Sequence, residues 1–230
     1  MSLPFLHPYI GLSSGLNTRH SGPPLPITLD TTDGSTGSDS ASITIATNAN
    51  RILVVHLGYG RSIGYSVTSV KIGATNFTNL ATVNSTTAFY EYTDVWFLIN
   101  PPTGVQTVDV VYAVAPSYKA MKLISLYNVD QSVGISSITD VSFGGIESSP
   151  FTLTITPTTV GSWIMAFMLS QNNNSAPTQT ALYTGYSNGD AVLSGEYNPT
   201  PTISSSNNLS WTVSPTTLRL SGIAFEILRA

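Results

Sequence analysis

Apolar residues along this chain recur at every second position, segment after segment, and no stretch keeps an apolar stripe at helical spacing over three turns. A period of two is the spacing at which a strand puts side chains on one face. In 51–60, Leu53, Val55, Leu57 and Tyr59 share a face, and Val54, His56 and Gly58 share the other. In 93–99, Val95, Phe97 and Ile99 oppose Asp94, Trp96 and Leu98, and Pro101-Pro102-Thr103-Gly104 supplies a turn. The next run places Val108, Val110, Tyr112 and Val114 inward, with Thr107 and Asp109 outward. Phe151, Leu153 and Ile155 alternate with Thr152, Thr154 and Thr156. Residues 162–170 are apolar on both faces, which predicts a central strand covered twice. The last strand, 217–228, changes phase between Leu218/Leu220 and Ile223/Phe225/Ile227. A one-residue slip turns a strand over, so a bulge is expected near Ser221-Gly222.

About a dozen such strands at roughly 8–12-residue spacing predict an all-β chain: a single antiparallel β-sandwich, jelly-roll-like, over residues 27–230. No internal repeat is visible. Residues 30–40, 144–149, 171–177 and 198–208 read as loops. Residues 1–26 are different. Pro4, Pro8, Pro23, Pro24 and Pro26 forbid a regular helix and favour extended backbone. Yet Leu3, Phe5, Leu6, Tyr9, Ile10 and Leu12 are too apolar for a solvated tail. The segment reads as an extended arm that docks through Leu3, Phe5, Leu6, Tyr9 and Ile10 on a neighbour; folding back on its own sandwich is the other possibility. Prolines interrupt the start, and the first basic residue is Arg19. No secretory leader is therefore expected, and the Asn-x-Ser/Thr sequons carry no message.

Charged residues make up only 9% of the chain, against about 25% in ordinary globular proteins. Polarity comes instead from Ser, Thr and Asn. Such a surface suits a protein that works assembled or outside the cell. The eight basic residues form no stripe, so nucleic acid is not an expected partner. With no cysteine there is neither a disulfide framework nor a thiolate metal site. No apolar run approaches the roughly 18 residues of a membrane span.

Candidate chemistry is thin. Glycoside hydrolysis needs two carboxylates about 5–10 Å apart. Glu91 and Asp94 are three apart on one strand and point to opposite faces, while Glu147, Asp190 and Glu196 lie in or beside loops. His56 has no second histidine at a ligand spacing, and reads as a residue of the less buried face or one satisfied by hydrogen bonds. Asp30, Asp33 and Asp39 bracket the best calcium candidate, but Asx turns explain the run equally and the spacing is not that of a calcium loop. No catalytic residue, cofactor or metal site is assigned. The tyrosines near strand ends could stack on sugars. Tyr183, Tyr186, Asp190 and Tyr197 are the candidate lining of a glycan cleft.

The segments ILVVHLGY (52–59), VTSVKIGATNFTNL (67–80) and VWFLINPPTGVQTVDVVY (95–112), with GSWIMAF (161–167) and the closing strand, together resemble a β-sandwich module that recurs in phage structural proteins and bacterial surface proteins. The resemblance implies a scaffold or adhesion role and carries over no catalytic residues. The expectation is a non-enzymatic virion component, a capsid decoration or minor capsid protein docking through residues 1–26 on a capsid or tail protein. It would be made in the host cytosol and assemble as a closed homo-oligomer, such as a trimer. The alternative is a carbohydrate- or receptor-binding module on a tail fibre or cell surface.

Overall fold

A computed structural model describes residues 24–60, 64–85, 91–142, 150–171, 176–188, 191–213 and 219–230. The described residues are all-β and antiparallel, without a helix. The docking-arm residues Leu3, Phe5, Leu6, Tyr9 and Ile10 lie outside them.

The first half of the chain contributes β1 (Thr28–Thr36), β2 (Ser40–Ile45), β3 (Ile52–Gly60), β4 (Val67–Ile72), β5 (Thr75–Asn76), β6 (Thr78–Asn84), β7 (Glu91–Ile99), β8 (Gly104–Tyr112) and β9 (Tyr118–Tyr127). They form an inner sheet, β1-β9-β3-β7-β6, and an outer sheet, β2-β8-β4-β5. The second half contributes β10 (Ile135–Ser142), β11 (Phe151–Ile155), β12 (Trp163–Gln171), β13 (Ala176–Pro177), β14 (Thr180–Asn188), β15 (Ala191–Asn198), β16 (Asn207–Thr212) and β17 (Leu220–Ile227). They too form an inner sheet, β10-β17-β12-β15-β14, and an outer sheet, β11-β16-β13. Replacing β1, β9, β3, β7 and β6 by β10, β17, β12, β15 and β14 turns one inner sheet into the other. Replacing β2, β8 and β4 by β11, β16 and β13 does the same for the outer sheets. In each half the first and last strands lie side by side and the third strand follows, which is jelly-roll order. The chain therefore holds an internal repeat, contrary to expectation. Sequence identity does not carry it, because a jelly roll asks only for alternation and turns.

Four layers result, with three apolar seams. Leu53, Val55 and Leu57 of β3 pack with Ile43, Val70 and Val108 between the first outer and inner sheets. Ile52 and Val54 face Met165, Phe167 and Phe225 between the two inner sheets. Ile164, Ala166 and Met168 of β12 face Leu153 and Trp211 of the second outer sheet. Residues of both parities in β3, β12 and β17 are buried, because each of these strands has a sheet on either side. That explains the phase change of the last strand. Leu220 and Ala224 face the outer sheet, whereas Ile223, Phe225 and Ile227 face the inner one. β17 pairs with β12 without interruption from Leu220 to Ile227, so no bulge lies at Ser221-Gly222.

Two other expectations change. Most of 30–40 is strand: β1 pairs with β9 along its length as a half-exposed edge, which tolerates its Thr, Asp and Gly content. Val114 lies beyond the end of β8 and is exposed, not inward.

Candidate functional site

Three groups of buried titratable side chains stand out among the described residues. The first lies between the inner sheets. His56, at the middle of β3, is fully buried rather than on a less buried face. Its ring stacks on Phe167 of β12 at 4.8 Å and 10°. Its Nδ1 shares a 2.5 Å hydrogen bond with the Tyr183 hydroxyl, while Nε2 is buried without a partner. Burial lowers the imidazole to about 3, so it is neutral at ordinary pH. Lys122, cross-strand from His56, holds its ammonium 5.4 Å over the Tyr183 ring, and burial lowers its pKa against the opposing pull of Asp33. Two glycines admit this packing. A side chain at Gly58 would meet Leu193 at 2.4 Å, and one at Gly195 would meet the Tyr183 ring at 2.7 Å.

The second group closes one end of the first sandwich. Tyr59 stacks on Tyr92 at 5.1 Å and meets Tyr112 edge-on at 5.3 Å. The Tyr59 hydroxyl and the Trp96 indole nitrogen donate to Asp94 Oδ2 at 3.2 and 3.4 Å. Burial raises the Asp94 carboxyl to about 6, with donors from Thr82, Trp96 and Tyr59 opposing the shift. Tyr92, Tyr112 and Tyr65 are only partly buried, and the Tyr65 and Ser117 hydroxyls lie 3.3 Å apart.

The third group ties the second sandwich. Glu196 is an interior residue of β15 rather than a loop residue, and it is fully buried. It accepts from the Gln179 amide at 2.9 Å, and burial raises it to about 7 against the backbone donors of Gln179, Ser210 and Thr178. Glu226 of β17 accepts from the Thr158 and Thr159 amides at 3.0 and 2.9 Å and from the Ser136 hydroxyl at 2.8 Å.

Of the proposed glycan cleft, Tyr183 turns inward onto His56 and Phe167, and Tyr197 stacks on Trp163 at 4.8 Å. Both are partly buried and pack against the seam between the inner sheets. The Tyr186 side chain and Asp190 lie outside what the structure describes, as does Glu147. Register puts Glu91 and Asp94 on opposite faces of β7. The calcium candidates are separated along β1 and its turn. Asp30 accepts from the Ala46 amide and the Ser125 hydroxyl, Asp33 from the Gly34 amide, and Asp39 pairs with Lys119. Among the described residues no three His, Asp or Glu side chains converge as a metal site. No helix there is long and apolar enough to cross a membrane.

Sequence reasoning missed Glu196 and Glu226 as buried ties and Lys122 as a neighbour of His56. Glu226 was detectable in principle, as a lone carboxylate within the apolar run from Ile223 to Leu228. Compared with family models, curated proteins and solved structures, the chain matches none.

Proposed function

We propose that this protein is a non-enzymatic structural component of a virion, a capsid decoration or minor capsid protein that docks through residues 1–26 on a capsid or tail protein. One observation carries the reading: the outer faces of the two outer sheets are rich in hydroxyls and amides and poor in charge. Ser42, Thr44 and Thr107 are exposed on one outer sheet, beside Val105, Val111 and Asp109, and Thr154, Asn208 and Thr212 on the other. Such faces suit close packing against neighbours, since few charges need desolvation. Jelly rolls recur in capsid proteins and in lectins, so fold alone does not choose between the two. Docking would bury Leu3, Phe5, Leu6, Tyr9 and Ile10, worth on the order of 1.5–3 kcal/mol each before ordering costs. The test is co-sedimentation with particles from the source, quantified by mass spectrometry. Many copies per particle support a capsid role, and a few copies a tail or fibre role. Recovery only in the soluble fraction sinks the proposal.

A second reading, glycan binding, draws on a different observation. Tyr92 and Tyr112 pack on Tyr59 at one end of the first sandwich, and Tyr65 packs against the same cluster with its hydroxyl 3.3 Å from that of Ser117. Aromatic faces with a polar group beside them suit sugar rings. A glycan array probed with the native chain and with Tyr92→Ala tests it. Binding that the substitution abolishes would favour this reading over the virion one.

A further inference from the structure

The two halves match in more than strand order. Strand contacts across the seam between the inner sheets come in reciprocal pairs. β1 meets β14, and its counterpart β10 meets β6. β9 meets β14, and β17 meets β6. β7 meets β17, and β15 meets β9; β7 also meets β12, and β15 meets β3. If i touches j then the counterpart of i touches the counterpart of j, which is the rule of an isologous two-fold interface. On such an axis a residue meets its own counterpart. Ile52 pairs with Leu126 and Trp163 with Ile227, at corresponding places on β3 and β12. Four residues on from each are His56 and Phe167, whose rings stack on one another.

We infer that the inner face of each half is a self-recognition surface whose partner is a like half, so that the chain is a two-fold dimer closed within one polypeptide. The surface is an apolar seam, with Ile52, Val54 and Ile124 on one side and Met165, Phe167 and Phe225 on the other, all buried. It is the kind of core-like face that obligate dimers bury. The covalent link between the halves is exposed only at its tip. It runs from Val129 to Gly134, and Ser132 and Val133 are exposed on it. Three chain positions meet there: the Asn128 side-chain amide donates to Pro26 O at 2.8 Å, and the Ala230 amide donates to Asn128 O at 3.0 Å. The beginning of the first half therefore lies beside the end of the second, as its end lies beside the beginning of the second. The inference stands whether or not the virion reading holds.

Two full-length variants test it. In one, a protease recognition sequence inserted between Ser132 and Val133 is cut after folding. The cut halves should co-elute as a 1:1 species at the volume of the intact chain, and their thermal midpoint should become concentration-dependent, as for any two-body complex. Two differently tagged cut preparations, unfolded and refolded together, should yield hybrids in statistical proportion. In the other, the chain is permuted to run 131–230 and then 1–130. It should melt cooperatively with the near-ultraviolet circular dichroism of the parent. Halves that separate on the column, hybrids that do not form, or a permuted chain without a cooperative transition would each overturn the inference.

Discussion

The two jelly-roll halves share a topology and differ in their interior chemistry. Where β3 carries His56, β12 carries Phe167. Opposite Val55 stands Trp96, whereas opposite Ala166, its counterpart, stands Glu196. One feature persists through an exchange of parts. In the first half Asp30, at a register shift of β1, accepts from the Ser125 hydroxyl on β9 and from the Ala46 amide after β2. In the second half Ser136, at a register shift of β10, donates to Glu226 on β17, which also accepts from the amides after β11. Acid and hydroxyl have traded strands, yet the first strand, the last strand and the loop after the second strand are held together in both. The outer faces match too: the Ser42 and Thr107 hydroxyls lie 3.3 Å apart, and those of Thr152 and Ser210 lie 2.9 Å apart at the corresponding pair. The fold depends on the tie being made, not on which strand supplies the charge.

The largest expected effect comes from removing the aromatic member of the stacked pair. Phe167→Ala should cost about 3–5 kcal/mol, and His56→Ala less, because the alanine also removes an unpaired buried nitrogen; urea unfolding of both variants measures the difference. Next, Glu226→Ala should cost roughly 2–4 kcal/mol and Asp30→Ala roughly 1–3, since Glu226 satisfies two backbone amides and Asp30 one. A loss in one variant with none in the other would break the equivalence of the two ties.

The pH dependence separates the halves further. The native His56 protonates only near pH 3 instead of 6.5, so its contribution is complete above pH 6.5 and is lost as pH falls toward 3. Asp94 moves from 3.8 to about 6 and Glu196 from 4.5 to about 7. Their contributions are complete below pH 4 and are lost as pH rises through 6 and 7. His56→Phe should flatten the acid limb of a Tm-against-pH curve, and Glu196→Gln should flatten the limb between pH 4.5 and 7. A variant that shifts the whole curve without flattening its limb would refute the assignment. The smallest effect on stability is expected from deleting residues 1–26, which should leave a folded β-rich core that no longer docks on particles. Loss of folding in that truncation would make the segment part of the core.

The in-and-out pattern of β8 and β11 was legible in the sequence, as was the double covering of β12, because a period of two reports burial locally; the double covering of β3 and β7 was not. Which strands neighbour one another was not. Ile52 pairs with Leu126, Ser40 with Asp109, and His56 finds its hydroxyl on Tyr183. Alternation is indifferent to partners so far along the chain. The same indifference hid the repeat: His56 and Phe167 share no chemistry, and Asp30 with Ser125 reads nothing like Ser136 with Glu226. The arm's apolar content was legible as well, but its seat was not.

By itself, then, the sequence determined an all-β chain, the residues that face inward on its amphipathic strands, and the absence of any thiol chemistry. The tertiary structure alone decided that there are four layers, that two like halves meet about a pseudo-two-fold axis, and that Glu196 and Glu226 are interior. The physical reason is that side-chain alternation is set by the backbone of a single strand, whereas layers and symmetry are set by which surfaces exclude water together.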